Sequence, residues 1–519
     1  MKFSYTKQNL SANEARQQRI LEILPGLTSW FILLGMIFLS ILKPILAAIF
    51  IIAFYFFWLL RLLYMTIFLV LSYLRLNMER KTSWRQRIRG IDELTLLQKN
   101  KNPPPASKEI YHLVIYPVVK EKKEVVEPGI KSLCQQDFPT ERMVVFFALE
   151  ERADELVKND ISILAEKYQS TFYALKTIVH PKDSPGEAAV KGANITFAAK
   201  KACEFFKDKN IPFENIIVSC FDADTVVSAN YFSALSYYFM ITPQRLQASF
   251  QPVPVYHNNI WEVPGFARVI EAGSSFFQLI EATNPEKLVT FSSHSMSFKA
   301  LVDVGYWPID MISDDSAIYW KSFIHFDGDY QVVPMYITLS MDIAGSKSLR
   351  ETAKSVYKQK RRWAWGVENF PIVMRAFLRS PKISLYKKLR LGYKLFEGHV
   401  SWASWGFLLS IIGWLPALFA QQEFVTSVTY YNMPRISHTI FRLAAISLIT
   451  SIILSIQLLP KRTQKISLGR KFSHALEWLM IPVILVIFSS LPALDAQTRL
   501  MLGRYMGFWV TEKKREKRG

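Results

Sequence analysis

The sequence predicts an α/β domain held between transmembrane helices, and three observations predict it. Long apolar runs lie near both ends of the chain, and the stretch from Gly26 to Leu76, broken by Lys43 with Pro44 and by Arg61, is long enough for two membrane passages of about 20 residues each. From about Tyr111 to Phe370, short β-rich runs (HLVIYPVV, MVVFFAL, NIIVSCF) alternate with helix-like segments, the pattern of an α/β domain with a largely parallel sheet. The 50% hydrophobic and 14% aromatic content of the 519 residues is high for a purely soluble chain.

Residues 1–25 form a polar lead, read as a cytoplasmic N-terminal segment. Residues 26–76 read as a transmembrane hairpin. The competing reading, a cleaved signal peptide, fits poorly with so long a polar lead, with no small-residue cleavage pattern and with a second apolar run. Residues 77–110 are a basic linker with Arg80, Lys81, Arg85, Arg87 and Arg89, followed by Pro103, Pro104 and Pro105. The excess of cations places this side in the cytoplasm. Residues 111–370 are the candidate catalytic domain. Residues 371–401, with the basic amphipathic run Ile383 to Lys394, are expected to lie on the inner membrane surface.

Residues 402–494 carry further apolar segments at roughly 402–420, 438–459 and 475–494. The loop between the first two holds only Arg435 as a basic residue, whereas the loop after the second holds Lys461, Arg462, Lys465, Arg470 and Lys471, so these two form an in-out-in hairpin. Five full crossings would leave the basic tail outside. The third segment is therefore expected to be re-entrant or to return through Thr498 to Trp509, which places residues 495–519 in the cytoplasm.

A formal charge of +20 suits nucleic acid, an anionic membrane or a phosphorylated substrate equally well. The cations cluster beside apolar segments, as membrane-flanking charge does, so no nucleic-acid partner is expected. Three cysteines, Cys134, Cys203 and Cys220, without a CxxC pair, offer neither a disulfide framework nor a zinc module.

Three constellations carry chemistry. In FDADT, Asp222 and Asp224 follow an apolar strand, and the carboxyl ends of strands in α/β sheets are where ligands bind. Two hard oxygen ligands suit Mg2+ or Mn2+, which bridge to phosphates and neutralise a departing diphosphate. A solvated turn is the bland alternative. In ISDDSAIYWK, Asp314 and Asp315 open a predicted helix, where negative charge also favours the dipole. One of them, Asp315, suits a general base that deprotonates an acceptor hydroxyl, with inversion expected from a single displacement. In YKQKRRWAWG, Gln359, Arg362 and Trp363 share one helix face. Arg suits a diphosphate oxygen, Gln a glycan or phosphate, and the indole a sugar ring. A basic aromatic helix resting on a membrane is the alternative.

DxD, an acidic pair and QxxRW in this order and at these separations resemble family-2 glycosyltransferases of the cellulose synthase-like type. The resemblance implies a GT-A-type nucleotide-sugar-binding domain inserted between transmembrane helices. YPVVKE resembles the first strand and turn of that fold, which puts Pro117 and Glu121 on the donor side. FFALEERAD resembles the second strand, with Glu150 expected at the nucleotide base. PGEAAVKGANITFA resembles the segment that supplies Lys191 and Asn194 near the donor. SSHSMSFKALVDVGYWP resembles the acceptor-side segment, with Ser293 and His294 near the sugar. GFWVTEKK reproduces FxVTxK through Phe508, Val510, Thr511 and Lys513, a loop that closes over the donor in cellulose synthases. Lys120 stands where Asn is usual, Glu150 where Asp is commoner, and the acidic pair is Asp-Asp rather than Glu-Asp.

The resemblance implies an inverting glycosyltransferase, integral to the plasma membrane, multi-pass, with its catalytic domain cytoplasmic. Its donor is a nucleotide-sugar, expected to be a UDP-sugar, and its acceptor a glycan in processive polysaccharide synthesis, with membrane lipids and an export subunit as candidate partners. The alternatives are single transfer to a polyprenyl phosphate and, from another class, a nucleotide-binding transporter component. Few intramembrane charges of the kind that mark transport pathways occur, which disfavours the last.

Overall fold

The computed structural model describes residues 3–97, 103–346, 348–419, 422–460 and 468–507. Two long helices open the chain, α1 (Ala12–Leu42) and α2 (Pro44–Arg80), followed by α3 (Trp84–Leu97). Ser11 and Glu14 form a reciprocal capping box at the start of α1, and Pro44 at the first position of α2 needs no amide partner there. The α1 helix therefore begins well before Gly26, because the polar lead supplies its cap.

The central domain follows in the order β1 (Tyr111–Val118), α4 (Lys123–Cys134), β2 (Met143–Glu150), α5 (Glu155–Tyr168), β3 (Ala174–His180), α6 (Lys191–Asp208), β4 (Ile216–Cys220), β5 (Val226–Val227), α7 (Tyr231–Ile241), β6 (Ala248–Val255), α8 (Gly265–Glu281), β7 (Ser295–Ser297), α9 (Phe298–Asp303), α10 (Asp314–His325), β8 (Gln331–Ser340) and α11 (Leu349–Ala364). The eight strands form one sheet in the order β3-β2-β1-β4-β7-β6-β8-β5. The first four are mutually parallel, as the apolar runs predict, and every residue of β2 is buried. The sheet is mixed, however: β7 is antiparallel to β4 and β6, and β5 is antiparallel to β8. β5 and β7 span two and three residues, too short to show a strand pattern in the sequence.

Alternate residues of β1 and β2 face opposite layers. Val114, Tyr116, Val145 and Phe147 join the core under α4, α5 and α7, whereas Leu113, Ile115, Val144 and Phe146 pack under α6 and α10. The chain leaves β1 toward β2 and β3, then returns to the other side of β1 as β4. That reversal is the topological switch point of the sheet, where the carboxyl ends of β1 and β4 open a crevice.

After α11 come α12 (Asn369–Arg379), α13 (Leu385–Ser410), two single-turn helices α14 (Leu415–Leu418) and α15 (Gln422–Val425), α16 (Val428–Leu458), α17 (Leu468–Glu477), α18 (Ile481–Ile484) and α19 (Leu491–Met501), with a π-helical turn at 485–490. By length and composition, four helical stretches among the described residues can cross a membrane: Ala12–Leu42, Pro44–Arg80, Val428–Leu458 and Phe472–Met501. A fifth arises if Leu385–Ser410 and Ile412–Leu418, bent by 44°, act as one span. Phe31, Phe38, Leu42 and Phe50 are exposed on the first two, as lipid-facing side chains would be.

The basic run Ile383–Lys394 leads into α13, which begins at Leu385 and continues to Ser410 as one helix. The last apolar segment is a 30-residue helical stretch, Phe472–Met501, with a π turn rather than a loop at its centre. Its polar side chains explain its path. Gln497 accepts from Ser29 of α1 at 2.7 Å and donates to the carbonyl of His399 in α13 at 2.7 Å, while Thr498 accepts from the indole of Trp30 at 2.9 Å.

Candidate active site

Lys191, the first residue of α6, stands at the centre of the site. Its Nζ lies 2.9 Å from Oδ1 of Asp222, 3.0 Å from Oδ1 of Asp315 and 3.7 Å from Oδ2 of Asp314. Burial alone would lower the lysine pKa, but the three carboxylates outweigh it and hold Lys191 well above the ordinary lysine value. It is therefore a permanent cation. Asp314 is pushed up to about 7, first by burial, then by the Asp315 charge, with Lys191 and Arg362 opposing. The next residue, Gly192, is required by its surroundings: any Cβ there would clash with the carbonyl oxygen of Pro308, in the chain leading to the acidic pair.

The FDADT turn is braced by the segment leading into β7. Ser293 has φ 61°, a left-handed conformation that serine adopts only when its surroundings hold it there. Its hydroxyl accepts from the Asp222 amide at 3.1 Å and meets Thr225 Oγ1 at 2.8 Å. Ser292 donates to the second carboxylate oxygen of Asp222. Asp224 is buried and accepts from the Asp342 amide at 2.8 Å. The Asp315 carbonyl accepts from Thr290 Oγ1 at 2.6 Å, so the 290–293 segment touches both acidic motifs.

The QxxRW residues lie on α11 as the spacing predicts. The positive charge of Arg362 acts on Asp314 and on Tyr256. The Trp363 ring is bordered by Phe291 at 5.6 Å, Tyr256 at 6.1 Å and the Lys360 ammonium at 3.6 Å from its centre. Lys360 is fixed in turn by Glu271 of α8 at 2.8 Å and Ser274 at 3.0 Å. Tyr256 Oη, His294 Nε2, Gln359 Oε1 and Glu271 Oε1 are buried with no hydrogen-bond partner among the described residues. Burial keeps His294 neutral by lowering its pKa, and its Nδ1 contacts the Phe291 carbonyl at 3.0 Å.

Other expected residues are held differently. Glu150, at the end of β2, pairs with Arg152. Glu121 turns back on its own loop and accepts from the amides of Val119 at 2.8 Å and Lys120 at 3.0 Å. Pro117 sits within β1, opposite Ala148. Asn194 donates to the Ala148 carbonyl at 2.7 Å and ties α6 to β2 instead of facing the acids. Phe508, Val510, Thr511 and Lys513 lie outside the described residues. Sequence reasoning missed Tyr256, Glu271 and Thr290, which belong to no spaced motif, and Ser292, which opens the SSHSMS segment beside Ser293.

Three acids opposed by a buried cation, at a sheet switch point and beside an Arg-Trp helix face, make an arrangement suited to group transfer. The family model described as glycosyl transferase family group 2 matches residues 217–489, more than half of the chain. The chain belongs to that family.

It is a glycosyltransferase, and the matched region runs from the DxD strand through the acidic pair and QxxRW into the last apolar helix. Curated relatives include the poly-beta-1,6-N-acetyl-D-glucosamine synthase of Staphylococcus epidermidis, 34% identical over 90 residues, which are 17% of this chain and 19% of that protein. The enzyme of the same name from Staphylococcus aureus strain COL is 33% identical over 105 residues, 20% of this chain and 22% of that protein. The match thus spans about a fifth of each relative's length. Among solved structures, a mannosyltransferase from Pyrobaculum calidifontis in complex with GDP-Man and Mn2+ aligns with TM-score 0.41 and 14% identity over 76% of this chain and 99% of that one. Residues 1–349 of TarS from S. aureus in complex with UDP-GlcNAc align with TM-score 0.32 and 14% identity over 69% and 95%.

Proposed function

We propose that this glycosyltransferase transfers a sugar from a nucleotide-sugar donor, of the UDP-sugar class, to a growing glycan with inversion, and that it does so processively at the membrane. The observation that carries the reading is the shared ammonium: Lys191 links Asp222 of the DxD turn to Asp315 at hydrogen-bond distance, so the donor-side acid and the base are adjacent. The basic flanks of the apolar helices support a cytoplasmic active site in a plasma-membrane protein.

The donor set fits a divalent cation in one manner. No group of three or more His, Cys, Asp or Glu side chains among the described residues converges as a complete ligand set. Mg2+ and Mn2+ ask for less: one or two carboxylates, with substrate phosphates and water completing the shell. Asp222 and Asp224 would supply those carboxylates. The demand for positive charge is visible in the Lys191 ammonium, which stands among three acids. Such an ion, when bound, neutralises charge on the departing nucleoside diphosphate.

The chain's own groups then act as follows. Asp315 accepts the proton of the acceptor hydroxyl as it attacks the anomeric carbon, and Lys191, 3.0 Å from its Oδ1, holds that carboxylate in place. Asp314, its carboxyl held near 7, keeps a second full negative charge from accumulating beside Asp315. Arg362 steadies the diphosphate. Trp363 offers its face to the acceptor sugar, whose hydroxyls are suited to pair with Tyr256, His294 and Gln359.

Turnover of purified, detergent-solubilised chain on a panel of UDP- and GDP-sugars, read as nucleoside diphosphate release, tests the proposal. Release with one donor, dependent on Mg2+ or Mn2+ and on Asp315, supports it, and long products from a single encounter support processivity. Single-sugar products on a polyprenyl phosphate would replace the processive reading, and no release from any donor would overturn the assignment of this site.

A further inference from the structure

The polar segment ahead of α1 is fastened to the catalytic domain at four points. Tyr5 Oη donates to Asn369 Oδ1 at 2.6 Å, and Thr6 Oγ1 donates to Asp310 Oδ2 at 3.0 Å. Arg375 donates to the Thr6 carbonyl at 2.8 Å, and Lys7 pairs with Glu368 Oε2 at 3.0 Å. Tyr5, Asn369, Glu368 and Arg375 are all buried.

Glu368 and Asn369 follow the Gln359–Trp363 helix and reach across to the acidic pair. The other oxygen of Glu368 accepts from the backbone amides of Ile312 and Ser313, each at 3.1 Å, and from the Ser313 hydroxyl at 2.9 Å. Asn369 donates to Ser313 Oγ at 3.0 Å and Ser316 Oγ at 3.1 Å. Ser313 is the N-cap residue of α10, yet its hydroxyl makes no bond to its own helix: it donates to Glu368 and accepts from Asn369. The next two residues are Asp314 and Asp315.

We propose that Lys7 is a positioning residue for the acidic pair: by pairing with Glu368 it holds that carboxylate on the Ile312 and Ser313 amides and so sets where α10 begins. The inference rests on Asp315 being the base. Glu368 is 3% exposed, and a buried carboxylate deprived of its cation relaxes toward water and releases what it was holding. Lys7 also lies over the ring of Tyr505, 5.8 Å from its centre, and the Tyr505 hydroxyl donates to Glu22 of α1 at 2.9 Å. The first helix is thereby connected to the segment before the active-site acids through Tyr505, Lys7 and Glu368.

Full-length Lys7→Met and Lys7→Arg proteins, compared in two measurements, test the proposal. By hydrogen exchange, Lys7→Met is expected to lose roughly tenfold or more protection at the Ile312 and Ser313 amides, with β1 and β2 unchanged and Lys7→Arg near wild type. In donor turnover, kcat should fall about 10- to 100-fold for Lys7→Met with KM for the donor within about twofold, and Lys7→Arg should restore it. Unchanged exchange at Ile312 and Ser313 overturns the proposal whether or not any sugar donor is turned over, and so does a loss of protection spread over the whole sheet. Loosened amides with a normal kcat overturn the positioning role. Loosened amides in a chain whose wild type turns over no donor would sink the catalytic reading of Asp315 and leave the contact itself confirmed.

Discussion

The ammonium of Lys191 lies 3.0 Å from Oδ1 of Asp315, and the two residues are 124 positions apart in the chain. Only the fold brings them together, because Lys191 opens the helix after β3 and Asp315 opens a helix that follows the short reversed strand β7. The same ammonium contacts Asp222, so one side chain balances acids from both motifs.

Replacing Asp315 with Asn keeps the shape of the side chain and removes its basicity. Transfer should fall by about 10²- to 10⁴-fold, the usual contribution of a general base, while the donor still binds. Nucleotide-sugar titration alongside turnover checks both halves; surviving transfer would reassign the base.

Lys191→Met should destabilise the domain by about 3–5 kcal/mol, the cost of leaving buried charges without their partner. The deficit should shrink as pH falls and the carboxylates protonate. Thermal melts of donor-free protein at several pH values measure it, and a Lys191→Met protein as stable as wild type at neutral pH would show that the acids do not depend on this cation.

The raised pKa of Asp314 has a defined sign. With the folded value about 7 and the unfolded value near 3.8, the native state binds the extra proton between those limits. The stabilisation is complete below the unfolded value and is lost as pH rises through about 7. In metal-free, donor-free protein, wild type should therefore lose Tm relative to Asp314→Asn as pH rises from about 4 to about 7. A constant difference across that range would mean that Asp314 titrates elsewhere.

The Glu271–Lys360 pair, 1% and 3% exposed, supports Trp363 from behind. Glu271→Leu should cost about 3–5 kcal/mol by stranding the lysine, and the double change with Lys360→Met should recover most of it, because an apolar pair needs no desolvation. Equal loss in single and double variants, read in chemical denaturation, would argue against a buried ion pair. In the double variant, Trp363 loses its cation, so weaker acceptor use at near-normal donor KM is expected.

Much of this architecture was legible in the chain. The parallel half of the sheet announces itself in the continuous apolar runs of β1, β2 and β4, because strands covered on both faces need no polar positions. QxxRW declares a helix face by its spacing, and α11 has it. The capping box at Ser11 and Glu14 is equally local, but it lies 15 residues ahead of the apolar onset at Gly26, so hydropathy alone does not mark the helix start.

What composition, periodicity and spacing determined by themselves were the apolar segments, the α/β alternation and the residue types of the three motifs, since each depends on neighbours within a few positions. The tertiary structure decided which motif residues meet. It turned Asn194 to the β2 backbone and Ser293 to the DxD turn, placed Lys191 among three acids, and brought Lys7 to Glu368 across 361 positions. It also reversed β5 and β7, strands of two and three residues whose direction follows from their partners in the sheet. Such pairings follow from the order in which strands join the sheet, and a local pattern carries no record of that order.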